Sequence, residues 1–180
     1  MPTARWPAAA ILFLLLWPGL ALAKSAEQID AEVDASLQTL DEKLPGAKAF
    51  VTNAKGILVF PEVIEAGLFV GGEYGEGALR INGETVDYYN TVAGSFGFQL
   101  GAQAKTVVIA FLTQEALDKF RASSGWEAGV DGSIAIIEAG AGASFDTTKT
   151  NAPIAGFVIG RRGLMVDVSL QGSKFTRIQR

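Results

Sequence analysis

Cysteine and histidine are both absent from the 180-residue chain. Without histidine there is no Ser-His-Asp triad, no imidazole base and no imidazole metal ligand. Without cysteine there is no thiol nucleophile, no zinc-thiolate site and no disulfide, so the core must hold by packing alone. Positive charge is also in short supply: 15 basic side chains face 19 acidic ones, a formal net charge of −4. That excludes the basic footprint of a nucleic-acid binder. It also argues against nonspecific attraction of the whole molecule to an anionic membrane. The apolar run from Ala8 to Trp17 falls short of the roughly 20 residues that a membrane-spanning helix needs.

That short run reads differently with its neighbours. Arg5 and the amino terminus form a positive region before it, Pro18-Gly19 ends it, and Ala21-Leu22-Ala23 follows with the small residues signal peptidase requires. Residues 1–23 are therefore expected to be a secretory signal peptide, cleaved after Ala23. No cysteine follows the run, so the product is not a lipoprotein. Residues 24–180 are the size of one ordinary domain, large enough for one substantial core. The expected location is the periplasm.

Ser25 and Gln28 have the spacing of a capping box. Behind them Ile29, Val33, Leu37, Leu40 and Leu44 recur every three or four residues, one apolar stripe on an amphipathic helix. The stripe is either core or membrane-facing; the opposite face is acidic. Pro45-Gly46 stops this helix, and a short turn follows from Ala47 to Asn53. Ile57–Phe60 is a short β-prone run closed by Pro61. Glycines then alternate with large residues from Ala66 to Gly77, and Asn82-Gly83 is a hairpin turn. Val86–Val92 reads as a strand. Ser95–Gly101 alternates cleanly, with Phe96, Phe98 and Leu100 on one side and Ser95, Gly97, Gln99 and Gly101 on the other. Val107–Leu112 is continuously apolar, the pattern of a central buried strand. Thr113 caps a mid-chain helix reaching about Ala122, with Leu117 and Phe120 inward. Trp126–Ile137 alternates again, placing Trp126, Ala128, Val130, Ile134 and Ile136 on one face. Gly140–Ser144 is small and glycine-rich, and Asp146–Pro153 is a polar loop. Ile154–Gly160 and Leu164–Leu170 are strands around Arg161-Arg162-Gly163, and Lys174–Ile178 is a last strand. There is no βαβ repetition. The fold class is α+β: one domain with a large, curved, half-barrel-like antiparallel sheet, an N-terminal amphipathic helix and one mid-chain helix. The many glycines within strands mark curvature or close backbone approach.

The remaining chemistry is thin. Glu73 and Glu76 are spaced like carboxylates at a turn and are the one pair that invites an acid-base reading. Gly71–Gly77 resembles a phosphate loop only in its glycines, because no Lys-Ser/Thr pair or helix follows. No Ser-x-x-Lys dyad occurs. Asp131 and Asp146 stand outside any calcium-binding string. The chain is read as non-catalytic, with no cofactor and no metal. The smooth Ser95/Gly97/Gln99/Gly101 strip suits either a close-packed helix or an acyl chain or peptide.

Several blocks in order resemble the SYLF-domain family: Ala54–Pro61, Ala66-Gly67, Gly71–Gly77, Ser95–Gln103, Gly125–Asp131, Gly163–Met165 and Ser169–Gly172. Together they span nearly all of residues 24–180. The resemblance implies a lipid-binding module without catalytic residues. Eukaryotic members bind phosphoinositides, partly through an amphipathic N-terminal helix, and some bind actin; bacterial members are usually exported. In this sequence the first helix is acidic on its polar face, which separates it from a phosphoinositide-binding helix, and actin is not an expected partner. The basic residues that could meet a lipid phosphate are Lys48, Lys55, Arg161 and Arg162. The expected partner is a phospholipid or membrane surface, with no nucleic acid. A protein partner in the envelope is the alternative, and a small outer-membrane barrel is a third reading, disfavoured by the two helices and the basic carboxy terminus.

Overall fold

The computed structural model describes residues 23–67, 70–96, 101–137, 152–160, 163–164 and 169–180. The expected signal peptide, apart from Ala23, lies outside them, as do Gly140–Ser144, Asp146 and the two arginines Arg161 and Arg162. Within the described residues three helices form: α1 (Ala26–Lys43), α2 (Ala47–Thr52) and α3 (Gln114–Ala122). The strands are β1 (Gly56–Gly67), β2 (Val70–Ile81), β3 (Glu84–Phe96), β4 (Gly101–Phe111), β5 (Trp126–Glu127), β6 (Ala135–Ile136), β7 (Ile154–Gly160), β8 (Gly163–Leu164) and β9 (Lys174–Ile178). They make a nine-stranded sheet in the order β5-β9-β3-β2-β1-β4-β7-β6, with β8 also on β7.

The sheet is curled, and chain length requires it. In a flat sheet β5 and β6 would lie seven strand spacings apart, about 34 Å. The chain from Glu127 to Ala135 reaches at most about 29 Å even when fully extended, and part of it is spent on a turn at Gly129 (φ 89°). The segment that bridges the two edges therefore draws them together and closes over the concave face. This return also makes β6 parallel to β7, whereas the other strand pairs among the described residues are antiparallel. The single strand read over Trp126–Ile137 is thus replaced by two short strands around the turn. Trp126, Ala128, Ile134 and Ile136 still share the inner core, but Val130 sits at the turn and is 74% exposed.

Two apolar layers sandwich the central strands. On the inner, concave face Leu58, Phe60, Val107, Ile109 and Phe111 pack with α3, Trp126 and Phe175. On the outer face Ile57, Val59, Val108, Ala110 and Phe157 pack beneath α1 and α2. Alternate residues of β1, β4 and β7 serve opposite layers, which is why these strands read as unbroken apolar runs. The capping box of Ser25 and Gln28 starts α1, Thr113 caps α3, and Asn82 and Gly83 take positive φ at the β2–β3 turn.

Pro61 does not end a strand. β1 continues through it with a register shift between Phe60 and Val63, a bulge that absorbs the missing N–H. The strand expected over Ser95–Gly101 is likewise divided. β3 ends at Phe96 and β4 begins at Gly101, and β2 and β1 lie between them. Ser95 and Gly101 therefore belong to strands that do not pair, and Gly97 and Gln99 lie outside the described residues.

Candidate functional site

The apolar stripe of α1 faces the sheet. Ile29, Val33 and Leu40 are fully buried, and half-buried Leu37 packs on the same cluster. The helix is clamped from its polar side too. Asp30 accepts from Thr85 Oγ1 at 2.7 Å and from the Tyr88 hydroxyl at 2.9 Å, while Arg80 pairs with Asp34 and donates to the Asp30 carbonyl. Burial, and then the neighbouring Asp30 carboxylate, raise the Tyr88 pKa above the usual phenol value. The unfolded chain then loses this proton first. The stabilisation from the Tyr88–Asp30 contact is full below pH of about 10 and is lost as pH rises through the raised value. Tyr88→Phe is expected to lower the urea midpoint at neutral pH and to flatten its decline above about pH 10; an unchanged alkaline slope would show that the contact does not form.

Lys48 stands in α2 and lines a shallow open depression with Asp41, Ala49, Thr52 and Asn53. Lys55 is exposed just before β1. Neither makes an ion pair among the described residues, so both are free to meet an anion. Lys55 does not sit with the β7–β8 hairpin. Lys55 donates its backbone N–H to Phe111, level with Ile154 at the start of β7, whereas Gly160 is at the far end. The intervening strand is about 20 Å long. Lys43, which donates to the Gly160 carbonyl at 3.2 Å, marks that hairpin end.

The carboxylate pair cannot act on one substrate. Glu73 and Glu76 are an odd number of residues apart on β2, so they leave opposite faces. Glu73 enters the inner side and pairs with Lys105 at 2.7 Å, the two side chains only 15% and 8% exposed. Glu76 lies on the outer side, accepts from the Tyr74 hydroxyl at 2.7 Å and pairs with Arg180. Asp131 accepts from the Glu127 backbone N–H across the turn, a local structural role. No group of three or more acidic residues among the described residues could hold a metal, and no described helix is long and apolar enough to cross a membrane.

A further surface emerges only from strand register. α1 and α2 cover one half of the outer face. On the other half Ile64, Tyr74 and Val92 stand side by side on β1, β2 and β3. They are 45%, 49% and 49% exposed, and Val70, further along the same face, is 68% exposed. Exposed Ala66, Gly72 and Gly94 form the next, smooth row. Lys174 on β9 is paired opposite Val92 and ends the apolar row with a lysine that has no ion pair among the described residues. Sequence reading missed this row because the bulge at Pro61 resets the alternation. Leu58 and Phe60 face inward, yet Ile64, also an even number, faces outward.

Residues 92–180 match the family model described as Ysc84, Las17-binding protein actin regulator. The match covers Val92 to the carboxy terminus, including α3 and the strands from β4 to β9; the resembling blocks between Ala54 and Gly77 precede it. Comparison with curated proteins gives no match.

Proposed function

We propose that this chain, a member of the Ysc84 (SYLF-domain) family over residues 92–180, is an exported, non-catalytic module that binds phospholipid at a membrane surface. The observation that carries this reading is the apolar row Ile64–Tyr74–Val92, left open on the half of the sheet that α1 and α2 do not cover. Contiguous exposed apolar side chains on a sheet face mark an interaction surface, and a row rimmed by lysine suits the boundary between headgroups and acyl chains. α1 does not serve as the membrane anchor, because its apolar stripe is committed to the core.

Lys48 and Lys55, and with them Arg161 and Arg162, are the phosphate partners in this reading. Lys55 lies at the opposite end of β1 from Ile64, and Lys48 belongs to α2 rather than to the apolar row, so the two lysines supply a separate electrostatic contact. Flotation of the purified protein with vesicles of phosphatidylethanolamine, phosphatidylglycerol and cardiolipin tests the proposal. Binding is expected in each mixture, weaker at high salt where anionic lipid is present. Lys48→Ala with Lys55→Ala is expected to remove most of the salt-sensitive part, about 1 kcal/mol per lysine. Failure to float with any mixture would overturn the lipid reading and leave an envelope protein partner as the alternative. The actin-regulator description of the family is not carried over as a partner of an exported module.

A further inference from the structure

One row inward from Ile64, Tyr74 and Val92, toward α1, the outer face turns polar: Glu62, Glu76, Asn90 and Thr176 stand opposite one another on β1, β2, β3 and β9. Two acceptors in this row are buried and meet no hydrogen-bond donor, Glu76 Oε2 and Asn90 Oδ1. The Glu76 side chain is only 8% exposed. Its other oxygen is fully occupied by the Tyr74 hydroxyl and Arg180. The Asn90 amide also lies at the Tyr74 hydroxyl. Glu76 and Asn90 are direct cross-strand partners, so their orphaned oxygens belong to one small cluster roofed by the half-exposed Tyr74 ring. Arg180 balances the charge of Glu76, and the cluster therefore calls for hydrogen-bond donors more than for a bare cation. A buried acceptor without a donor costs roughly 1–3 kcal/mol, and such groups in a native fold ask for a reason.

We propose that the apolar row and this cluster form one amphiphile subsite: an acyl chain lies along Ile64, Tyr74 and Val92, and a donor-bearing lipid head, a primary ammonium or a hydroxyl, reaches Glu76 Oε2 and Asn90 Oδ1 beside the Tyr74 ring. Lys174 at the end of the row faces the phosphate of a lipid that carries one. The inference rests on the lipid-binding reading and adds the head chemistry: selection for donors on the head, where Lys48 and Lys55 select only for charge.

Phosphatidylcholine is the discriminating probe, since its trimethylammonium has no N–H. Flotation is measured with phosphatidylcholine vesicles, and with matched vesicles in which part of that lipid is replaced by phosphatidylethanolamine or by diacylglycerol. One well-placed donor should tighten apparent binding about tenfold over phosphatidylcholine alone. A gain with phosphatidylethanolamine only identifies the ammonium as the donor, and a gain with diacylglycerol identifies the hydroxyl. Glu76→Gln turns the orphaned oxygen into an amide donor that its neighbour Asn90 can accept, so this variant should fold yet bind all three vesicles alike. Ile64→Ser, at a position 45% exposed where a substitution costs little stability, should weaken binding to every vesicle. Equal binding of the native protein to all three vesicles, a preference that survives Glu76→Gln, or undiminished binding by Ile64→Ser would overturn the subsite. These outcomes differ from the absence of binding to any vesicle, which would overturn the lipid reading itself.

Discussion

Alanine in place of Gly77 is expected to destabilise the fold by more than about 3 kcal/mol, at the severe end of small-to-large changes in packed regions. A Cβ at this position would lie 2.1 Å from the Val59 carbonyl oxygen and 2.8 Å from Phe60 Cδ1. The nearer obstacle is backbone, so no rotamer change relieves it. The cause is the bulge in β1. Around Phe60, Pro61 and Glu62 the register with β2 shifts, and the displaced carbonyls lean over the facing strand. Gly75 meets the same bulge from its other side, 2.8 Å from the Glu62 carbonyl. Gly72, by contrast, would bring a Cβ no closer than 3.8 Å to any atom. Gly72→Ala is the matched control and should leave the urea midpoint nearly unchanged. A Gly77→Ala protein as stable as the control would mean that the bulge is not where it is described.

Phe120→Ala should cost about 3–5 kcal/mol, the usual range for emptying a buried aromatic position. Phe120 is the hub of the inner core. Its ring centre lies 4.8 Å from Phe111 and 4.9 Å from Tyr89, with Trp126 and Phe175 at 5.8 and 6.4 Å. These partners come from β4, β3, β5 and β9, so one truncation loosens α3 and strands on both sides of the sheet centre. Domains of this size hold only about 5–15 kcal/mol in all, and the melting temperature is expected to fall by roughly 10 °C. A loss below about 1 kcal/mol would show that the aromatic cluster closes around the gap, contrary to the packing described.

Local signals in the sequence carried through wherever structure is decided within a few residues. The Ser25–Gln28 cap, the Asn82-Gly83 turn, the Thr113 cap, the doubly buried Val107–Phe111 and the last strand at Lys174–Ile178 all appear where the residues place them. The half-barrel was readable from glycines inside strands. Register was not. It depends on bulges, and Pro61 looks like a terminator until a partner strand is seen to tolerate it. The alternation at Ser95–Gly101 is real in sequence but spans the departure from one strand and the entry to another. Trp126–Ile137 keeps its inward residues while turning at Gly129, because the face a residue occupies was legible and the path between such residues was not. The candidate surface suffered most from this gap. Lys48 and Lys55 could be picked out by charge alone, but Ile64, Tyr74, Val92 and Lys174 lie on four strands and become neighbours only through three pairings. Glu73 and Glu76 show the converse: three positions apart in sequence, they are separated by the thickness of the sheet.

The position of β9 has a bearing on how the molecule comes into being. This strand follows the other eight in sequence, yet it lies between β5 and β3 and delivers Phe175 to the inner core. The long hairpin of β1 and β2 can form early from local contacts, but the aromatic cluster around Phe120 has no complete wall until residues 174–178 arrive. Closure therefore depends on contacts between segments far apart along the chain, which slow folding. A nascent chain therefore keeps its concave face unsealed until this strand has been made.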